Sequence, residues 1–197
     1  MKKILALVLI ALLTFCTCFA SSVPVDVTGL WYAYLADGEA TLFLRDDGTG
    51  SLIIGQDNFS ISWMQSGSSI TLDQGGALVS GVCDGTSISL AIGGGNLVFL
   101  RELPEPLSLD SDLTGTWIAH LPETDSLLVL NADGTAKLQM GPEAIDLDWT
   151  RNGADITLLQ QGFPVVECAF DGVFISIFIG EGSLCFLRQA DADENNP

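Results

Sequence analysis

His120 is the only histidine of the chain, and general-base catalysis, a Ser-His-Asp arrangement and most zinc sites would all have to use it. Alternation from Trp117 turns it outward with Ile118, so it reads as an exposed strand residue. The carboxylate pairs Asp46-Asp47 and Asp146/Asp148 have the chemistry for glycoside hydrolysis or calcium, but neither has the ligand spacing of a calcium loop. Asp47-Gly48 reads as a hairpin turn, and Asp146 with Asp148 as one solvated strand face. Gly93-Gly94-Gly95 is a hairpin too, since no helix follows to hold a phosphate. Beyond the N-terminal segment stand Cys83 and Cys168, inward in different repeats, and Cys185, outward. Cys168 and Cys185 fall two strand spacings apart, roughly 9.6 Å against a bridging limit of about 7 Å, so free thiols are expected. Catalysis therefore finds little to work with, and the sequence predicts a protein that is not an enzyme and has no cofactor or metal.

Composition narrows the partners. The 197 residues carry 25 acidic and 7 basic side chains, a formal charge of −18. That charge argues against nucleic acid and anionic membrane surfaces as partners, because its field repels them. With 48% hydrophobic residues and 21 glycines, the chain suits a packed, turn-rich β protein.

Lys2 and Lys3 precede the apolar run Ile4 to Phe15, and small residues follow at Ala20, Ser21 and Ser22. Residues 1–22 thus read as a secretory signal peptide, too short to span a bilayer comfortably. Extracellular secretion is the expectation. Lipid anchoring through Cys16 or Cys18 is the alternative, although Phe15 is bulky where a lipoprotein box wants a small residue. No second apolar run of spanning length occurs.

Comparison of the chain with itself sets the domain count. Asp26-Val27-Thr28-Gly29-Leu30-Trp31 recurs 86 residues later as Asp112-Leu113-Thr114-Gly115-Thr116-Trp117, and Asp47-Gly48-Thr49, Trp63 and Ile70-Thr71-Leu72 repeat at the same offset. One inserted residue later, Phe99-Leu100-Arg101 returns as Phe186-Leu187-Arg188. The domains run over 23–102 and 112–188, joined by a proline-bearing linker at 103–111 and followed by an acidic tail, expected to be disordered, at 189–197.

Within each copy apolar and polar residues alternate with period two between Gly, Asp and Asn punctuation. Strands are expected near 30–36, 40–46, 50–55, 58–65, 69–73, 77–83, 87–92 and 96–101, and again near 116–122, 126–131, 135–140, 144–151, 155–160, 164–170, 174–179 and 183–188. Eight sequential strands with open edges close most simply into an up-and-down barrel. The fold class is therefore all-β, two tandem small eight-stranded meander barrels. Parity places Trp31, Leu35, Ile54, Ile92 and Phe99 inside the first, and Trp117, Met140, Ile145, Ile179 and Phe186 inside the second. Facing walls are expected to meet and fill each lumen.

Gly29-x-Trp31 with Arg101, repeated as Gly115-x-Trp117 with Arg188, resembles the signature of the lipocalin and wider calycin barrels. With Asp-Gly-Thr and the second tryptophan included, the pattern is similar to the lipocalin-like modules of secreted proteins and lipoproteins from Gram-positive bacteria. The resemblance implies that tryptophan plugs one barrel end with arginine against it. Full lipocalins spend about twice as many residues on one barrel, a departure that bears on the ligand cup.

Outward positions on the first, second, seventh and eighth strands are apolar: Tyr32, Tyr34, Val98 and Leu100 in the first copy, Ile118, Phe174, Phe178 and Leu187 in the second. A patch of that width calls for a cover. The sister barrel, a partner protein and a small hydrophobic ligand are the candidates, with mutual packing of the barrels the simplest. The functional expectation is a secreted binding or interaction protein. A carrier of a small hydrophobic molecule, in a barrel or in the groove between barrels, and an extracellular protease inhibitor are the alternatives.

Overall fold

The computed structural model describes residues 25–35, 38–92, 94–179 and 182–189. The segment 1–22 read as a signal peptide, the residues beyond Gln189 and the side chain of Leu35 lie outside that description. The first repeat comprises β1 (Gly29–Leu35), β2 (Gly38–Leu44), β3 (Thr49–Ile54), β4 (Asp57–Ser66), β5 (Ser69–Gln74), β6 (Ala77–Cys83), β7 (Ser87–Ile92) and β8 (Gly95–Leu100). The second comprises β9 (Gly115–Ala119), β10 (Ser126–Leu130), β11 (Thr135–Met140), β12 (Glu143–Asn152), β13 (Asp155–Gln160), β14 (Phe163–Phe170), β15 (Phe174–Ile179) and β16 (Gly182–Arg188). Each set of eight closes into an antiparallel meander barrel, as the period-two pattern predicts. One strand is shorter than expected: β9 stops at Ala119 rather than near residue 122. Pro122 has no N–H for the ladder, and His120 Nδ1 lies 3.0 Å from Asp125 Oδ1 across the loop that replaces it.

One end of each barrel is latched by the repeated motif. Asp26 Oδ1 accepts from the Thr28 amide and hydroxyl, which curls residues 26–28 over the barrel end. The Trp31 indole then donates to the Val27 carbonyl at 2.8 Å, and its ring lies fully buried beneath. Arg101 stacks 4.0 Å from that ring and donates to the Asp26 and Thr28 carbonyls at 2.5 and 2.6 Å. Gly29 has φ of +106°, and a Cβ there would press on the Arg101 guanidinium. The second copy repeats the latch: Trp117 donates to Leu113 at 2.9 Å, while Arg188 donates to Asp112 and Thr114 and sits 5.7 Å from the indole. Gln65 and its counterpart Arg151 tie down the same incoming straps, through the Val25 carbonyl and the Ser111 and Leu109 carbonyls.

Among the described residues the other end, here the mouth, has hairpins and, in the second barrel, the longer loop 120–125, whose Leu121 packs against the core. Ile54, Ile92, Met140, Ile145 and Ile179 have inward parity, yet they are 37, 47, 44, 43 and 37% exposed, so the expectation of fully packed lumens fails at this level. Parity selects the face of a strand but not its height, and at the mouth no strap among the described residues covers these side chains. Below the mouth the interior is apolar and buried, with Leu42, Leu44, Ile70, Ile88, Leu90 and Phe99 in one barrel and Leu128, Leu158, Phe170, Ile175 and Phe186 in the other.

Closure is thin in both. Between β1 and β8 the ladder is the single pair Tyr32–Leu100, and between β9 and β16 it is Ile118–Leu187 and Trp117–Arg188. Toward the mouth, the edge of β16 that carries Ser183 and Cys185 has no ladder partner on β9.

Candidate binding groove between the barrels

That edge of β16 is met by the first barrel. The Cys185 amide donates to Asn96 Oδ1 at 2.7 Å, and Asn96 Nδ2 donates to the Cys185 carbonyl at 3.3 Å. Asn96 Nδ2 also donates to Ser89 Oγ at 2.9 Å, and Ser89 Oγ donates to the His120 carbonyl at 2.5 Å, just beyond the end of β9. Ser89 and Asn96 are 1 and 7% exposed, so their polar atoms need these partners. Gly95 comes so close that a Cβ would overlap the Ser183 carbonyl. The sequence reading of Gly93-Gly94-Gly95 as a mere hairpin therefore misses what Gly95 does. Asn96, a polar side chain in the outward row with Val98 and Leu100, was the available signal.

Beside this clasp Val98, Leu100, Val173 and Phe174 form a buried cluster, with Tyr34, Cys185 and Leu187 packed against it. Tyr32 and Ile118 are half-buried at the two seams and lie outside the cluster. Val173 follows a turn, off the strand parity, and so escaped the sequence reading. Phe178 is 64% exposed. It borders a groove of about 540 Å³ between the barrels, whose walls include Tyr34, Asn96 and Val98 on one side and Phe174, Ser176 and Cys185 on the other. Cys185 Sγ lies 3.6 Å from Ser176 Oγ and 3.8 Å from Ser183 Oγ. The linker bounds the groove through Pro106 and is fixed by the Leu107 amide, which donates to the Gly172 carbonyl at 2.8 Å.

The residues singled out for their chemistry are employed structurally. His120 is not an exposed strand residue: it lies past β9, two-thirds covered, with Nε2 3.9 Å from Asp84 Oδ2 of the first barrel. The contact with Asp84 crosses from one repeat to the other, which single-strand parity cannot anticipate. Asp47 and Asp133 each accept the hydroxyl and amide of the threonine two residues on, which holds their carboxyls below the usual range. Asp26 and Asp112 are lowered in the same way by the amide and hydroxyl of Thr28 and Thr114. Burial pushes Asp84 up, but the amides of Ser87 and Thr86, with their hydroxyls, outweigh it and leave the carboxyl low. Asp146 and Asp148 are exposed on β12, with Asp146 opposite Lys137.

Cys83 and Cys168 are buried free thiols. Burial pushes Cys168 up to about 12, which makes it a poor nucleophile near neutrality. Burial and the adjacent Asp84 raise Cys83 as well. Among the described residues no three of His, Cys, Asp and Glu are grouped to hold a metal ion, and no helix is long and apolar enough to cross a membrane.

These features define the class: an all-β protein of two eight-stranded antiparallel meander barrels in tandem. Comparison with the models of known protein families and with curated proteins gives no match.

Proposed function

We propose that the protein is an exported, non-catalytic binding protein made of two lipocalin-like modules, and that it binds through the groove between them. The reading rests on Phe178, an aromatic side chain left 64% exposed beside an otherwise buried apolar cluster. An isolated aromatic on that wall has no packing role, whereas an occupant of the groove would cover it. The groove's volume of about 540 Å³ also favours a second reading, a carrier of one small apolar molecule, since such sites span roughly 300–1,000 Å³. Export follows from the N-terminal pattern, with lipid attachment at Cys16 or Cys18 as its variant.

Titration with an apolar fluorescent dye tests both readings. Dye bound to the wild type should be released by Phe178→Asp, while Phe163→Ser, away from the groove, should leave it bound. Dye binding unaffected by Phe178→Asp would remove the groove from consideration. Sizing separates the occupants: a protein partner in the groove predicts mass loss on Phe178→Asp, and a small ligand predicts none.

A further inference from the structure

Six of the fourteen large apolar side chains exposed among the described residues stand at the mouths. Met140, Ile145, Phe163 and Ile179 ring the second mouth at 44, 43, 73 and 37% exposure, and Ile54 and Ile92 stand at the first at 37 and 47%. Ile54 and Met140 occupy equivalent places in the two copies, as do Ile92 and Ile179. The polar residues among them correspond too: Asp57 and Glu143 open β4 and β12, and Gln74 and Gln160 close β5 and β13. An exposed apolar rim with a carboxylate at the same position is thus present twice.

Charge is sorted along the barrel axis. Arg45, Arg101, Arg151 and Arg188 all lie at the tryptophan ends, and Lys137 is in the wall of β11. Among the described residues the mouths carry no cation, whereas Glu39, Asp57 and Glu143 are exposed there. Gly95 abuts Ser183 at the start of both β8 and β16, and Leu100 packs with Leu187 toward their ends, so the two strands run alongside in the same sense. The loop 120–125 at the second mouth nevertheless lies against Asp84 and Ser68 at the tryptophan end of the first barrel, so the two rims are separate surfaces.

We propose that the rim of the second barrel is a docking surface for a polypeptide that presents apolar side chains among lysines or arginines. This surface is separate from the groove and does not depend on it. The carboxylates and the formal charge of −18 attract such a segment and orient it, while the exposed isoleucines, methionine and phenylalanine receive its apolar face. An anionic bilayer offers the apolar contact but is repelled by the same field, and no arginine or lysine at the rims offsets that.

The full chain should be titrated with an amphipathic leucine–lysine peptide, with its leucine–glutamate counterpart and with anionic phospholipid vesicles. The lysine peptide should bind at least about tenfold more tightly than the other two probes. Phe163→Ser combined with Ile145→Ser should weaken it by about tenfold, and Glu143→Gln should reduce its salt dependence. These side chains are exposed, so circular dichroism should report unchanged strands. Met64→Ser alters an apolar residue 70% exposed at the tryptophan end and should change nothing. Equal loss with Met64→Ser, equal binding of the glutamate peptide, or preference for vesicles would each overturn the proposal.

Discussion

Asn96 and Cys185, 89 residues apart, pair as neighbouring strands do: the asparagine side chain accepts from the Cys185 amide and donates to its carbonyl. One side-chain amide takes the place that β9 leaves empty when it departs from β16. The first barrel thereby completes a wall of the second.

Replacing Asn96 with Ala leaves a covered amide and carbonyl without partners, at a cost of about 1–3 kcal/mol. The urea midpoint followed by near-ultraviolet circular dichroism should fall accordingly. An unchanged midpoint would mean that water substitutes for the side chain and that the clasp contributes nothing.

Gly95→Ala tests the approach of the backbones without touching a hydrogen bond. Its Cβ would overlap the Ser183 carbonyl, so the barrels must separate locally. Proteolysis at the linker between Glu102 and Asp110 should quicken, while strand content stays constant. Gly94→Ala, where a Cβ meets nothing, separates loss of a hairpin glycine from the clash, although its φ of +82° adds a strain that Gly95→Ala does not.

The two latches should differ in strength. Arg101 is 4.0 Å from its indole and makes two short bonds to the strap, whereas Arg188 is 5.7 Å away with one bond at 2.5 Å and the other at 3.1 Å. Arg101→Met should cost about 2 kcal/mol and Arg188→Met less, with tryptophan emission shifting to the red more in the former. Equal losses would show that ring contact does not set the difference.

Acid should loosen the fold through its turn carboxylates. Asp84 has its folded pKa below the ordinary aspartate value, so its contribution is complete above that value and is lost as pH falls through the depressed one. Melting temperature should hold from neutrality to about pH 5 and drop below about pH 4. Asp84→Asn keeps an acceptor oxygen but cannot titrate, so it should flatten part of the acid slope while lowering stability at neutral pH.

The barrels were legible because inward and outward residues alternate locally: a strand such as Leu42-Phe43-Leu44 declares its faces without reference to the rest of the chain. Asp47-Gly48-Thr49 declares its turn for the same reason, since Asp47 bonds only two residues away. Height within a barrel is a collective property, and Ile54 and Ile179 looked like core for that reason. The groove was less accessible still. Val98 and Phe174 advertised an apolar outer face, but the contacts of Ser89, Asn96 and His120 join residues 31 and 89 positions apart, and no local period encodes them.

The duplication is not self-matching at its own junction. Asn96 and Ser89 correspond to Ser183 and Ser176 in the second copy, so the clasp has an asparagine on one barrel and a shorter hydroxyl on the other. Identical units joined head to tail could stack indefinitely into a filament, as any heterologous contact that fails to close can. Here a third unit docking on the second would find no side-chain amide to seal its seam. The clasp is thus built for one junction, with its asparagine on the first barrel alone.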